Sequence, residues 1–393
     1  MVHTQSYALH FQHVIHNIIY PSVHEIFEMG KFRVSKNPLR VLKRAPSFDF
    51  KMLHELSEDV RSFYACTQIR RMYRPTALEF MRHCISVHQP CILEGMIDEW
   101  PAMQKWMSTE KFLDRAPSRV NVNFTPNGRA DSVIFQSDQK LSSSGVFVEP
   151  VDISIDTKVF FNMLDYPDEN DAIPYLSAQN DNLRQQMPQL LDDCAQSLPL
   201  ADECFGLQPE AINLWIGDQR SVSSTHKDFF ENMYCVVRGV KTFTLFPPTD
   251  VAFLPVSTYP AYTYTYSSAC DDSGNLRPQK SELCLVPVDR SMGNNDNSSN
   301  EVSWIWLDPE DPQAVAKHPL FALASPLRIE VREGEVLYLP AMWLHRVSQT
   351  CLSIAVNYWY DMKFDLRYVL MQTCLRLVAD KHEEEKKIDN GIM

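Results

Sequence analysis

A mainly β domain, a jelly roll or sandwich with helices before and after it, is the fold that this 393-residue sequence predicts. Three observations carry the prediction. From about residue 208 onward, short alternating apolar runs are separated by turn signals at intervals of roughly 8–12 residues. Hydrophobic residues make up 45% and charged residues 22%, a globular composition in a chain long enough to bury a full core. No apolar run reaches the roughly 18–20 residues of a membrane span, and 11 glycines against 25 prolines exclude collagen-like and glycine-linker architectures.

Residues 1–50 are poor in acid, rich in histidine (His3, His10, His13, His16, His24) and basic over 36–44. We read them as a poorly ordered extension. His10, His13 and His16 fall at i, i+3, i+6 of a short amphipathic stretch, a spacing that marks a polar stripe more often than a metal site. The N-terminus lacks the basic, apolar and small-residue segments of a secretory signal, and the first 30 residues lack the arginines of a transit peptide.

Residues 51–207 read as a helical and strand region packing on the core. Thr76 can cap a helix carrying Leu78, Met81 and Ile85. Residues 90–95 read as a buried strand, 120–124 alternate up to the turn at Asn127-Gly128, Asp156 opens a helix through Leu164, and 172–177 read as a strand.

The core is assigned to 208–362. Its strands are Ala211–Gly217, a hairpin of 232–237 and 240–246 turning at Gly239, a second hairpin of 327–331 and 335–339 turning at Gly334, then 343–347 and 352–360. An insertion at about 259–303, polar and low in complexity over 291–300, is expected to be a disordered surface loop. Residues 363–393 read as a helix and a charged tail. Phe364, Tyr368, Met371, Leu375 and Val378 form one apolar stripe, and Leu366, Leu370, Cys374 and Leu377 a second. Packing on its own domain needs one stripe. The second predicts a partner helix, hence a homodimer.

Lys and Arg number 37 against 50 Asp and Glu, a net charge of −13. That balance argues against nucleic acid as a partner and suits a basic protein. Ten cysteines are scattered from Cys66 to Cys374 with no CxxC pair, so reduced thiols in a cytoplasmic or nuclear compartment are expected.

One constellation carries chemistry. His226 and Asp228, two apart on a strand, point to the same face, and His345 follows the second predicted hairpin. Two histidines and a carboxylate occupy one face of an octahedron and leave three positions open, the arrangement of non-haem Fe(II) oxygenases. The donors alone also suit Mn, Co, Ni or Zn, and a lone His-x-Asp occurs by chance in many chains.

The surrounding motifs narrow this. Residues 225–237 (THKDFFENMYCVV), 239–243 (GVKTF), 246–248 (FPP), 334–343 (GEVLYLPAMW) with His345, and 355–361 (AVNYWYD) fall in order at compatible spacings. In them the chain resembles the JmjC-domain, cupin-type Fe(II)/2-oxoglutarate oxygenases, within the small hydroxylase group that includes the asparaginyl hydroxylase of hypoxia-inducible factor. The resemblance covers about 90–379 without the insertion and is greatest to the (3S)-lysyl hydroxylase branch. It implies a double-stranded β-helix core, Fe(II) held by His226, Asp228 and His345, 2-oxoglutarate as co-substrate, and O₂ consumed with release of succinate and CO₂. It implies that Lys241, fifteen residues after His226, binds the far carboxylate of 2-oxoglutarate together with Tyr175. Ser223 stands where relatives often carry threonine. Asn232, Asn357 and Trp359 match pocket residues, Trp359 being equally readable as core.

The substrate implied is a lysine in developmentally regulated GTP-binding proteins. Two other activities belong to the same resemblance: an endopeptidase acting on methylated histone tails, and a histone methyl-lysine demethylase. Hydrolysis needs a metal-bound hydroxide and a base but no keto-acid pocket, and no HExxH motif is present. A non-catalytic cupin scaffold would be expected to have lost a ligand.

Overall fold

The computed structural model describes residues 50–135, 145–266, 276–288 and 300–373. The expectations made for 1–49, for most of the low-complexity stretch 291–300 and for Cys374, Leu375, Leu377, Val378 and the tail lie outside the described residues.

Before the core, the strands are β1 (Arg70–Tyr73), β2 (Cys91–Glu94), β3 (Arg119–Thr125), β4 (Arg129–Ala130), β5 (Ser132–Ile134), β6 (Val146–Glu149), β7 (Val151–Asp156) and β8 (Ile173–Tyr175). The core adds β9 (Ala211–Gly217), β10 (Val222–His226), β11 (Phe230–Arg238), β12 (Val240–Phe246), β13 (Val256–Tyr266), β14 (Leu283–Pro287), β15 (Glu301–Ile305), β16 (Leu327–Arg332), β17 (Glu335–Leu339), β18 (Leu344–Gln349) and β19 (Ser353–Asp361). A six-stranded sheet runs β1-β2-β17-β11-β19-β9 and a five-stranded sheet runs β16-β12-β18-β10-β4. Trp215, Tyr234, Leu337 and Ala355 of the first meet Phe243, Leu245, Val331 and Val347 of the second in one buried cluster, the interior of the jelly roll.

β9, β11 and β19 are buried along almost their whole length because the six-stranded sheet is covered on both faces. Its outer face, with Met233, Cys235, Tyr338, Val356 and Tyr358, packs on Phe80, Trp106, Phe112, Phe160 and Leu183 of the N-terminal region. The helix bearing Phe80 starts at Thr76, where a capping box with Glu79 satisfies its first amides. The helix Thr157–Asp165 starts on the Asp156 side chain. Residue 208 is no seam: β1, β2 and β4 lie in the same sheets as the core strands.

Both predicted hairpins are corrected. β11 lies between β17 and β19, whereas β12 lies between β16 and β18, so β11 and β12 sit in different sheets. β16 and β17 are separated in the same way. At each corner a glycine in the left-handed region, Gly239 (φ +82°) or Gly334 (φ +82°), carries the chain from one sheet to the other. An irregularity between Val236 and Arg238 assists the first corner. A tight hairpin and a sheet-to-sheet corner leave the same glycine signal in a sequence.

The region 259–303 is not wholly a loop. β13 pairs with β6, β14 and β15. Its alternating Tyr and Thr residues suit a half-buried strand, with Tyr259 and Ala261 buried in one cluster and Tyr264 in another. The eight described cysteines are free thiols, and no described helix is long and apolar enough to cross a membrane.

The corner glycine makes a test. A Cβ on Gly239 would lie 2.5 Å from the Leu352 carbonyl oxygen, whereas one on Gly206 (φ +71°) meets nothing within 4 Å. Gly239→Ala is expected to cost on the order of 3 kcal/mol and Gly206→Ala about 1 kcal/mol in urea unfolding, backbone strain being common to both.

Candidate metal centre

β10 and β18 run antiparallel, with His226 directly opposite His345. Asp228 follows β10 by two residues, and its carbonyl is held by the Met342 amide at 2.7 Å. The three side chains bring one ligand atom each within 4.8 Å of one another. His226 Nε2 is 3.8 Å from Asp228 Oδ1, and His345 Nε2 is 3.6 Å from Asp228 Oδ2.

The other ring nitrogens fix the tautomers. His226 Nδ1 donates to the Ser224 carbonyl at 2.7 Å and His345 Nδ1 to the Trp343 carbonyl at 3.0 Å. Both Nε2 lone pairs therefore face the Asp228 carboxylate, as metal binding requires. Burial, reinforced by the neighbouring His226, pushes His345 down to about 4, so it stays neutral near pH 7. The donor set fits a divalent first-row ion with positions left open.

The second feature is Lys241. It sits on β12 opposite Gln349 of β18, four residues from Leu245, which faces His345. Alternation turns Lys241, Phe243 and Leu245 to one side of β12, and His345, Val347 and Gln349 to one side of β18. Lys241 is fully buried. Its ammonium donates to Gln349 Oε1 at 2.5 Å and to the Tyr175 hydroxyl at 3.4 Å, and no ion pair among the described residues involves it. Burial pushes it down from the ordinary lysine range to about 7. A buried amine with two neutral partners is unfavourable unless an anion joins it. Gly217 makes room here: a Cβ on it would meet Tyr175 at 2.7 Å and the Gln349 amide at 3.0 Å.

The remaining predicted residues and the triad line one cavity, formed by Tyr175, Ser223, His226, Asp228, Asn232, His345, Asn357 and Trp359; Lys241 lies behind this lining and meets it through the Tyr175 hydroxyl. Burial raises the Tyr175 phenol well above its usual value, and a hydrogen bond with Ser223 offsets part of that. Trp215 Nε1 donates to Asn357 Oδ1 at 2.8 Å, and Asn357 Nδ2 donates to Asn232 Oδ1 at 3.1 Å. Trp359 stacks on Phe230 with centroids 4.9 Å apart, and its indole nitrogen is buried without a partner.

A protein with this barrel, this triad and this buried lysine can be compared with known families. The Cupin-like domain family matches residues 77–366. The chain is 35% identical over 298 residues to the human "Bifunctional peptidase and (3S)-lysyl hydroxylase JMJD7", covering 76% of this chain and 85% of that one. The chain belongs to the cupin-like JmjC family. It is also 34% identical over 352 residues to "JmjC domain-containing protein E" of Dictyostelium discoideum, covering 86% of this chain and 95% of that one. It is 38% identical over 331 residues to "Lysine-specific demethylase JMJ32" of Arabidopsis thaliana, covering 81% of this chain and 89% of that one. JmjC oxygenases use Fe(II), 2-oxoglutarate and O₂, and the three donors and the unpaired amine of this JmjC domain fit those groups.

Several residues in and around the site were not singled out in the sequence. Gln349 was legible, since period-two alternation from His345 puts it on the same face. Tyr234 and Phe243, which line this JmjC cavity, read as ordinary core. Trp304, whose ring lies parallel to His226, stands one residue past the supposed loop and was assigned to no strand.

The lysine makes a stability prediction. Between its folded value of about 7 and the unfolded value of roughly 10.4, the unfolded chain holds the extra proton. Stability of the free protein should therefore rise with pH across that window. Lys241→Met should melt at or above the wild-type temperature at pH 7 and lose that slope. A lower melting temperature with an unchanged slope contradicts the account.

Proposed function

We propose that the protein is an Fe(II)- and 2-oxoglutarate-dependent protein hydroxylase acting on a lysine side chain. The observation that carries this reading is the buried amine of Lys241 in the same barrel interior as the His226, Asp228 and His345 donors. Those donors would hold Fe(II). Lys241, with the Tyr175 hydroxyl and Ser223 beside it, would take the far carboxylate of 2-oxoglutarate, and the Trp215–Asn357–Asn232 chain would fix the wall against which the co-substrate lies. When bound, the iron supplies the coupling of keto-acid decarboxylation to oxidation of an unactivated C–H bond.

The protein's part is positioning and shielding. Asp228 holds negative charge between the two imidazoles. The Ser224 and Trp343 carbonyls hold both rings in the metal-binding tautomer. Phe243, Val347 and the stacked Phe230 and Trp359 rings exclude water.

The (3S)-lysyl hydroxylase name of the human relative supports a lysine at C3, and the family resemblance supports developmentally regulated GTP-binding proteins as substrates. The net charge of −13 suits a basic segment. The demethylase name of the Arabidopsis relative favours a second reading, oxidation of a methyl-lysine. The same residues would serve both, and the product separates them: a peptide gaining one oxygen against a peptide losing a methyl group. A peptidase would cut without 2-oxoglutarate.

With Fe(II) and lysine peptides from such GTPases, succinate formation should depend on the peptide and leave it one oxygen heavier. His226→Ala should abolish turnover, and Lys241→Met should raise the apparent KM for 2-oxoglutarate at least tenfold, about 1.4 kcal/mol. Cleavage independent of 2-oxoglutarate would overturn the reading.

A homodimer belongs to the same proposal. In the helix at 366–373, Tyr368 and Met371 pack beside Phe229, Met342 and Met362. Leu366, Val369 and Leu370 are 70, 55 and 57% exposed, an apolar face suited to a second copy. Light scattering should give twice the chain mass, and Leu366→Glu with Leu370→Glu should halve it. A wild-type monomer contradicts this part.

A further inference from the structure

The strand that carries the first metal ligand is irregular next to that ligand. β10 pairs with β18 at Val222↔Ser348 and Ser223↔Val347, and again at His226↔His345, with one extra residue on β10 between them. Ser224 and Thr225 thus form a bulge, and Thr225 Oγ1 is buried without a partner. Regular ladder pairing does not hold the peptide preceding His226.

Ser224 is the pivot of what does. Its carbonyl accepts the His226 Nδ1 proton at 2.7 Å. Its hydroxyl donates to the Asp131 carbonyl and accepts from Trp304 Nε1 at 3.0 Å. Asp131 is itself in the left-handed region at φ +49°. The Trp304 indole lies 8° from parallel to the His226 ring, with centroids 6.2 Å apart. Trp304 is 5% exposed and packs against Phe147 at 4.8 Å between centroids, so its own orientation is fixed. It is delivered by β15, in the excursion between β12 and β16.

We propose that Trp304 is a positioning residue of the metal centre, holding the plane and tautomer of His226 through the Ser224 hydroxyl. The inference rests on the reading that His226, Asp228 and His345 bind a metal. It gives the β13–β15 excursion a function: clamping the bulged strand from outside the barrel.

The test uses Co(II) titrated into the full chain, read by its visible absorption, with melting of the metal-free proteins alongside. Trp304→Phe keeps the aromatic ring and loses the N–H. Ser224→Ala keeps the carbonyl and loses the hydroxyl. Each should weaken Co(II) binding about tenfold or more, the usual effect of removing support behind a histidine ligand, and shift the absorption bands. The double variant should bind no more weakly than the worse single variant, because both delete one shared hydrogen bond. If Trp304→Phe does not fold, Ser224→Ala carries the comparison. Wild-type affinity and spectrum in the variants would overturn the inference and leave the metal reading intact, and fully additive losses would overturn it too. A wild type that takes up no Co(II) would sink the metal reading and this inference with it.

Discussion

The burial of the Lys241 ammonium constrains the rest of the structure. Its partners are the Gln349 and Tyr175 side chains, both neutral. Taking such a group out of water is tolerated only where stability is supplied elsewhere and a ligand later supplies the missing charge. The surrounding structure answers the first need. β11 and β19 are sealed by the other barrel sheet on one face and by the N-terminal helices on the other. Tyr175 comes from β8, outside the two barrel sheets, and reaches Lys241 because Gly217 leaves room for its ring.

The metal donors stand under a different constraint. His226 follows the β10 bulge directly, Asp228 lies two residues further on, and His345 faces His226 from β18, so the donors meet where the ladder is irregular. Local backbone irregularity aims side chains that a flat strand would not, and it must be held from outside. Here the holding groups are a tryptophan from a late strand and the backbone of Asp131. The molecule thus combines a rigid barrel that buries a cation with a bulged strand that brings two donors to face a third on β18.

Most barrel strands were legible because each is a short β-rich run bounded by turn residues, whereas β10, a short Ser- and Thr-rich run, was not; the triad was legible because its spacing sits inside motifs of a recognisable family. Gly239 and Gly334 were visible as turns, yet a turn residue does not state whether the next strand pairs with the last one or crosses to the facing sheet. That depends on β17 and β19 competing for both edges of β11, a long-range fact. The insertion was misjudged because the polar run at 291–300 dominated its composition, while the Tyr and Thr alternation of 256–266 was the weaker signal. Trp304, one residue past that insertion, carried no strand signal of its own. The two stripes of the last helix were visible, and the described part packs Tyr368 and Met371 of the first on its own core while Phe364 of the first and Leu366 and Leu370 of the second stay exposed.

The account turns on a lysine kept as a depressed amine until an anion arrives. Calorimetric titration of 2-oxoglutarate into Mn(II)-loaded protein without O₂, at about pH 8.5 in two buffers of different ionisation enthalpy, reads the protons exchanged on binding. With Lys241 near 7 in the free protein, binding should take up close to one proton, and Lys241→Met should take up none. Tight binding by the wild type with no proton uptake would contradict the claim that Lys241 receives the co-substrate carboxylate.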